Sequence, residues 1–411
     1  MGMTIAEKVF SRKNLAGTPV RAGDLVDCKI DGIMVHLSYG YVHAAYQKIG
    51  FAGGPPVVWD RDRVYMMLEH HEPPPTVEYA SRDKTAREFA FRMGLRHFYN
   101  AECGVCHQMM FDYGHVRPGE LILGTDSHTV IYGALNAAGV GIGGEDAAYA
   151  LAFGELWFQV PETIKIVLKG TLPGYCISKD IVLTLAGRYG DDFAQYQAIE
   201  YTGPAVEQLS LDSRMCLACH GVEAGAKLTF FPADEKVIEY VRARSDVPFQ
   251  PVAADADAQY AREIELDVGE VGFVVACPHT FDNVVPVAEA AGTRIDQALI
   301  GSCANGRFED IELAARMQLE ATEALDLSRA QLGPMLDHVV DHGRLIVEGV
   351  GQRLHAHPVA QLAIEAHTEH RDHLAALHGA ARGVDIAGED GAKWVVEPVT
   401  RLHGLPVFGR L

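Results

Sequence analysis

The chain has 411 residues, enough for two or three domains around a large core. Its 48% apolar and 22% charged residues are ordinary for a globular protein. A net charge of −20 repels nucleic-acid phosphates and argues against a general nucleic-acid binder, while leaving room for an anionic substrate held by a few local Arg, His or metal charges.

The opening "MGMTIAEKVFSRKN" has no apolar run of the secretory type, and no stretch of 18 unbroken apolar residues follows, so the expectation is a cytoplasmic protein with no membrane association. In that compartment the eight cysteines (Cys28, Cys103, Cys106, Cys176, Cys216, Cys219, Cys277 and Cys303) are thiols or metal ligands rather than disulfides. "CGVCH" (Cys103–His107) and "CLACH" (Cys216–His220) both have the spacing of covalent c-type haem, but such haem is attached outside the cytoplasm. Zinc held by Cys103, Cys106, Cys216 and Cys219 is the better structural rival.

The apolar run "ELILG" leads into Asp126, Ser127 and His128, which a strand end would present together in a pocket; capping and turn chemistry explain many such triplets as well. "GVGIGG" (Gly139–Gly144) lacks the Lys-Ser/Thr of a phosphate loop and reads as a turn where backbone approaches backbone. "EDAAYALAFGELWF" reads as one buried helix broken by Pro161, and "TIKIVLKG" (Thr163–Gly170) as a half-buried strand. "DEKVIEYVRAR" has helical spacing, with Val237, Tyr240 and Val241 on one face. "QALIGSCANGRFEDIELAARMQLE" reads strand, turn, helix, with Cys303 in the turn and a buried stripe of Ile311, Ala314, Ala315 and Met317 to Leu319. This alternation implies α/β domains with parallel sheets, whose ligands bind at the carboxyl ends of strands. From Glu312 onward the text changes: no Cys, no Tyr, the single Lys393, and nine of the 19 histidines. There "VAQLAIEAHTEHRDHLAALHGAAR" keeps helical periodicity, and His367, His370 and His373 read as a solvated face in preference to a metal site.

Taken together, "MTIAEKVF", "DRDRV", "GVCHQ", "GTDSHTVIYGAL", "VPETIKIVLKG", "VEAGAK", "FPADEKVIEYV" and "IGSCANGRFEDI" resemble, in order and spacing, the large subunit of 3-isopropylmalate dehydratase within the aconitase superfamily. The resemblance covers about residues 3–315. It implies an α/β fold of the aconitase type, three α/β domains around a central cleft, divided here at 1–160, 161–285 and an atypical 286–411. It also implies a hydro-lyase subunit acting on a hydroxy di- or tricarboxylate such as 3-isopropylmalate. The family uses a [4Fe–4S] cluster as Lewis acid on the departing hydroxyl, with histidines and carboxylates handling protons. By position, Cys303 matches the first cluster cysteine, and His107, Asp126, Ser127, His128 and Glu223 match catalytic residues. His70 matches a catalytic histidine, with Glu69 where the family has Asp. The small swivelling domain would be a separate subunit, making a heterodimer of the leucine-biosynthesis type.

The chain departs from the family where the remaining cluster ligands should lie. No Cys-x-x-Cys follows Cys303, and a cubane held by one thiolate would be lost, because such clusters need about three or four anchoring ligands. Ala304 replaces the family's Thr, Cys219 replaces an Asn, and "IMVHLSYGYVH" (Ile33–His43) lacks the usual Asp-x-Thr contact. Three readings stay open. The reading frame has shifted after about codon 315; the chain is a diverged member with another metal arrangement or none, up to a structural zinc protein or a catalytically degenerate one; or a cryptic ligand set replaces the missing cysteines. Cys303, Cys219 and Cys106 or Cys216 form one candidate substitute metal site.

Overall fold

The computed structural model describes residues 2–36, 39–48, 58–71, 73–101, 103–295 and 298–324, with three short strands beyond (Ile346–Val347, Ile386–Ala387 and Lys393–Trp394). The His367, His370 and His373 reading and the helix expected around them lie outside the described residues. The chain divides into two compact units, Met1–Leu354 and His355–Leu411. In the second, Ile386–Ala387 pairs antiparallel with Lys393–Trp394. Everything below concerns the first.

The first unit opens with α1 (Ile5–Lys13), β1 (Leu25–Lys29), β2 (Gly32–Val35), α2 (Tyr39–Lys48), β3 (Val64–Met67), α3 (Val77–Met93), β4 (His97–Tyr99), α4 (Cys106–Asp112), β5 (Leu121–Gly124), a 3-10 helix (Ser127–Leu135) and β6 (Ala138–Gly141). Five of these strands form a parallel sheet in the order β4-β3-β2-β5-β6. β2, β3 and β5 are buried at every position, as strands covered on both faces must be, which explains the continuous apolar run of "ELILG".

After α5 (Gly144–Phe153) and β7 (Glu155–Gln159), a second parallel sheet is built from β8 (Thr163–Lys169), β9 (Ala198–Thr202), β10 (Leu228–Phe230) and β11 (Arg262–Asp267), in the order β10-β9-β8-β11. Around it run α6 (Ser178–Tyr189), α7 (Pro204–Gln208), α8 (Leu211–Cys219) and α9 (Glu235–Arg242). Ile164, Ile166 and Leu168 of β8 are fully buried, as their alternation predicts, and so are Val237 and Val241 of α9. The 3-10 helix joins the two sheets, because Phe231 N–H donates to Gly133 O (3.0 Å) and Thr229 Oγ1 to Val130 O (2.7 Å).

Two local readings are corrected. "EDAAYALAFGELWF" is not one helix: α5 stops at Phe153, capped by Gly154 at φ 71°, and "ELWFQ" continues as β7, antiparallel to β1. The period-2 pattern of buried Leu156, exposed Trp157 and buried Phe158 is the strand signal that the apolar run masked. The "IGSCANGRFEDI" unit does run from strand (β14, Leu299–Ile300; β12 and β13 are the hairpin strands Val274–Ala276 and Val284–Pro286) through a short helical turn (Ser302–Asn305) into a long helix (Phe308–Ala324). Its expected buried stripe is not one, because Ile311, Ala314 and Ala315 are half-buried and Met317 is 41% exposed. That helix lies at the margin of the described core.

The N-terminus is laced onto the second sheet's surroundings. Gly2 and Met3 N–H donate to Asp257 and Asp255 (3.0 and 2.8 Å), and Ile5 N–H to buried Glu200 (2.7 Å). Thr4 and Glu7 form a reciprocal capping box at the start of α1. Among the described residues no helix is long and apolar enough to cross a membrane, and all eight cysteines are free.

One acid-sensitive element sits below β4. His115 is buried against Tyr99, whose hydroxyl is 2.5 Å from Nε2. Burial, followed by the charges of His97 and Arg117, pushes its pKa from 6.5 down to about 3. The unfolded chain therefore binds a proton here that the folded chain refuses; the stabilisation is complete above pH 6.5 and is lost as pH falls towards 3. Glu120, which burial pushes up to about 7, acts oppositely above pH 4.5, so the informative quantity is a difference between proteins. Between pH 7 and 4.5 the His115→Gln variant is expected to lose about 3 kcal/mol less stability than the parent. Urea unfolding at the two pH values checks this, and equal losses in both proteins refute it.

Candidate active site

The carboxyl ends of neighbouring parallel strands deliver one face of the site. Asp126 follows β5, His36 follows β2, Glu69 and His70 follow β3, and His107 stands in the first turn of α4 after the loop from β4. Adjacent strands in one sheet bring these ends together, as open α/β sheets do for their ligand sites.

Asp126 is the centre. Its Oδ1 accepts from the His128 backbone N–H (2.8 Å), which caps the 3-10 helix, and from His107 Nε2 (2.9 Å). Its Oδ2 accepts from His36 Nε2 (3.1 Å), with His70 Nε2 3.9 Å away. Burial alone would push this carboxyl up. The hydrogen bonds from His107, His128 and His36 outweigh it and hold the carboxyl far below the ordinary carboxylate range. Asp126 is therefore a fixed anion. Tyr132, fully buried, is 3.2 Å from His107 Nδ1. Burial pushes the Tyr132 phenol well up, so its hydroxyl keeps its proton beside His107 Nδ1, while Nε2 faces Asp126.

The second face comes from α8 and the loop after it, beside the second sheet, and from the turn after β14. Cys219 ends α8, Glu223 follows in the next loop, and Cys303 lies in the Ser302–Asn305 turn. Ser302 enters that turn in the left-handed region (φ 74°), and Arg307 Nη1 donates to Cys303 O (2.7 Å) to close it. His128 bridges the faces: Nε2 is 3.0 Å from Glu223 Oε1 and Nδ1 is 3.5 Å from Asp126 Oδ1. Asp126 first, then Cys303 and Glu223, push the His128 imidazole up to about 12, so it is cationic. Burial opposes the charge on Glu223, but His128 outweighs it and holds the carboxyl below its ordinary value. Glu223 Oε2 is buried without a hydrogen-bond partner among the described residues. Glu69 hydrogen-bonds His70 Nδ1 and raises its pKa, so the longer carboxylate at this position still holds the imidazole.

The sulfur atoms of Cys219 and Cys303 are 3.8 Å apart. Cys219, donating, and then His128 lower the Cys303 pKa to about 4, against its burial, while burial first and then the neighbouring thiolate raise Cys219 well above its ordinary value. Of the two, Cys303 is the thiol whose surroundings favour the thiolate.

Of the residues expected from sequence, His70, His107, Asp126, His128, Glu223 and Cys303 converge, and Cys219 joins them. Ser127 is exposed, outside the hydrogen bonds tying Asp126 to its imidazoles. Cys106 faces His36 and His70, with ligand atoms within 4.8 Å of one another. Cys216 turns away, to Asn305 (3.5 Å) and His220 (3.7 Å). A zinc site of Cys103, Cys106, Cys216 and Cys219 is thus not assembled among the described residues: three of these thiols belong to three different environments. His36 is the site residue that sequence reasoning missed. Its signal was an apolar strand, "GIMV", ending in a histidine beside "ELILG", which ends in Thr-Asp-Ser-His.

A [4Fe–4S] cube fits these thiols poorly. It needs about three or four anchoring ligands on different irons, and thiolates on different corners of a cube diverge. Here the two thiols that meet share a hydrogen bond, and no cysteine follows Cys303 in the chain.

With this geometry in hand, comparison with known proteins is direct. The model of the aconitase family (aconitate hydratase) matches residues 76–294. The chain is 43% identical over 355 residues to 3-isopropylmalate dehydratase large subunit 1 of Methanopyrus kandleri, covering 86% of this chain and 83% of that protein. It is 37% identical over 317 residues to the probable methanogen homoaconitase large subunit of Methanothermobacter thermautotrophicus, covering 77% and 74%. Among solved structures, Thermococcus kodakaraensis aconitase X (holo-form) aligns over 84% of each chain with a TM-score of 0.40 and 14% identity. The extent and level of the sequence matches settle the family: this chain belongs to the aconitase family, whose relatives here are hydro-lyase large subunits.

Proposed function

We propose that this chain is the large subunit of a cytoplasmic hydro-lyase that removes water from a hydroxy dicarboxylate of the 3-isopropylmalate or homologous type, working with a separate small subunit. The observation that supports it is the Asp126 carboxylate holding His107 and His36 at 2.9 and 3.1 Å, with cationic His128 between it and Glu223. Dehydration needs a proton for the departing hydroxide and positive charge for the substrate carboxylates. In a chain of net charge −20, His128 supplies that positive charge locally, and Glu69 beside His70 favours the charged form of that imidazole too. His128 is the proton donor to the leaving oxygen, Glu223 holds it in place, and Asp126 fixes the imidazoles that line the pocket. The carbon-bound proton is left to a base on the small subunit, whose family serves this role. Division of the chain at 1–160, 161–285 and 286–411 is part of the same reading.

The test is to mix the chain with its small subunit and supply 3-isopropylmalate, homocitrate or a methylated malate, following the conjugated alkene by ultraviolet absorbance. Turnover of one of these, abolished when the small subunit is omitted, is the expected result. No alkene from any of them, with iron, sulfide or zinc supplied, overturns the reading.

A further inference from the structure

We propose that Cys219, Cys303 and His128 form a mononuclear site for a tetrahedral divalent ion of the zinc type, in place of an iron–sulfur cube. The ligand atoms of these three residues lie within 4.8 Å of one another. The two sulfurs are 3.8 Å apart. Two sulfurs each about 2.3 Å from one tetrahedral ion stand about 3.8 Å apart, so the observed spacing is that of two ligands on a single metal. Two thiolates and an imidazole suit zinc, and three protein ligands leave a fourth position for water or a substrate oxygen.

The surroundings support an ion as well. Asp126 and Glu223 stand 3.5 and 3.0 Å from the two ring nitrogens of His128. Whichever nitrogen takes the ion, the other keeps a carboxylate partner, the arrangement that orients a metal-bound imidazole. A metal takes its thiol and imidazole ligands in their deprotonated forms, so binding is coupled to proton release. The ligands come from three separate pieces of chain: α8, the 3-10 helix of the first sheet, and the turn after β14. Cys219 stands where the family resemblance has Asn, so the second sulfur is a property of this chain.

The site shares its pocket with the proposed hydro-lyase but rests on the donor atoms alone; with an ion bound His128 is a neutral ligand, so the proton-donor role given to it above belongs to the metal-free chain. Metal binding without turnover sinks the activity and spares the site; turnover with a four-iron cluster sinks the site and spares the activity.

The experiment uses the full chain, stripped with chelator and titrated anaerobically with Co2+. One equivalent is expected to bind, with a thiolate-to-cobalt charge-transfer band and the visible bands of tetrahedral cobalt, and Zn2+ should displace it one for one. Cys219→Ser, Cys303→Ser and His128→Ala should each lose or strongly weaken these bands, while Cys176→Ser, whose thiol lies against Val271 O, should keep them. Three results would overturn the proposal: no charge-transfer band in the parent chain, a band unchanged by the two serine variants, or about four irons per chain with a cube spectrum after iron and sulfide are supplied. Absence of the band in the parent chain overturns the proposal even if a variant fails to fold.

Discussion

Asp126→Asn is expected to lower kcat for hydroxy-acid dehydration by about 10²–10⁴-fold, the span that a positioned proton-transfer system contributes. Asn keeps the volume of Asp and can still accept from the His128 backbone N–H. What it loses is the charge. His107, His36 and His128 all hydrogen-bond to this carboxylate, and it is the first cause of the raised His128 pKa. An amide leaves at least one imidazole without an acceptor and makes His128 a poorer holder of positive charge. Asp126→Glu should not rescue: its extra methylene moves the carboxylate off the N-cap position of the 3-10 helix, where the contact from the His128 N–H is fixed by backbone. The measurement is kcat for the two-subunit enzyme alongside urea unfolding of the variant. A loss below tenfold in a stable variant would remove Asp126 from the reaction.

The second large effect is structural. Gly133→Ala is expected to destabilise the chain by about 3 kcal/mol or more. A Cβ at Gly133 would stand 1.8 Å from Thr229 O and 2.5 Å from its carbonyl carbon. That neighbour is β10 backbone, which cannot swing aside like a side-chain tip. The strand would have to separate from the 3-10 helix and give up the Phe231 to Gly133 hydrogen bond. Because the same helix begins at Asp126 and carries His128, the damage reaches the site. Gly143→Ala is the control: nothing lies within 4 Å of its Cβ and the change at this helix N-cap should cost under about 1 kcal/mol. The urea midpoints of the two variants, compared with the parent, test the pair; similar midpoints would refute the close-packing argument.

Much of this architecture is legible in the sequence because parallel strands and their carboxyl ends leave strong local signals. "ELILG" followed by Asp126 and His128, and "TIKIVLKG" with its alternating Ile164, Ile166 and Leu168, translate directly into β5 and β8. The misreading of "ELWFQ" shows the limit. An apolar run adjoining a buried helix is continuous in composition, and only Gly154 and the exposed Trp157 mark the change of period. The site divides in the same way. His107, Asp126, His128 and Glu223 were found through the motifs that carry them. His36 was not, because its importance depends on β2 lying beside β5, and sheet order is a tertiary fact that no local pattern contains. The Cys219 and Cys303 contact is of the same kind, joining residues 84 positions apart.

The lacing of the N-terminus has a consequence for biosynthesis. The partners of Gly2, Met3 and Ile5 are Asp257, Asp255 and Glu200, so the opening segment cannot reach its seat until the ribosome has released some 250 further residues. Nascent chains stalled upstream of Asp255 should therefore leave this segment open to proteolysis, and those stalled well beyond it should shield it.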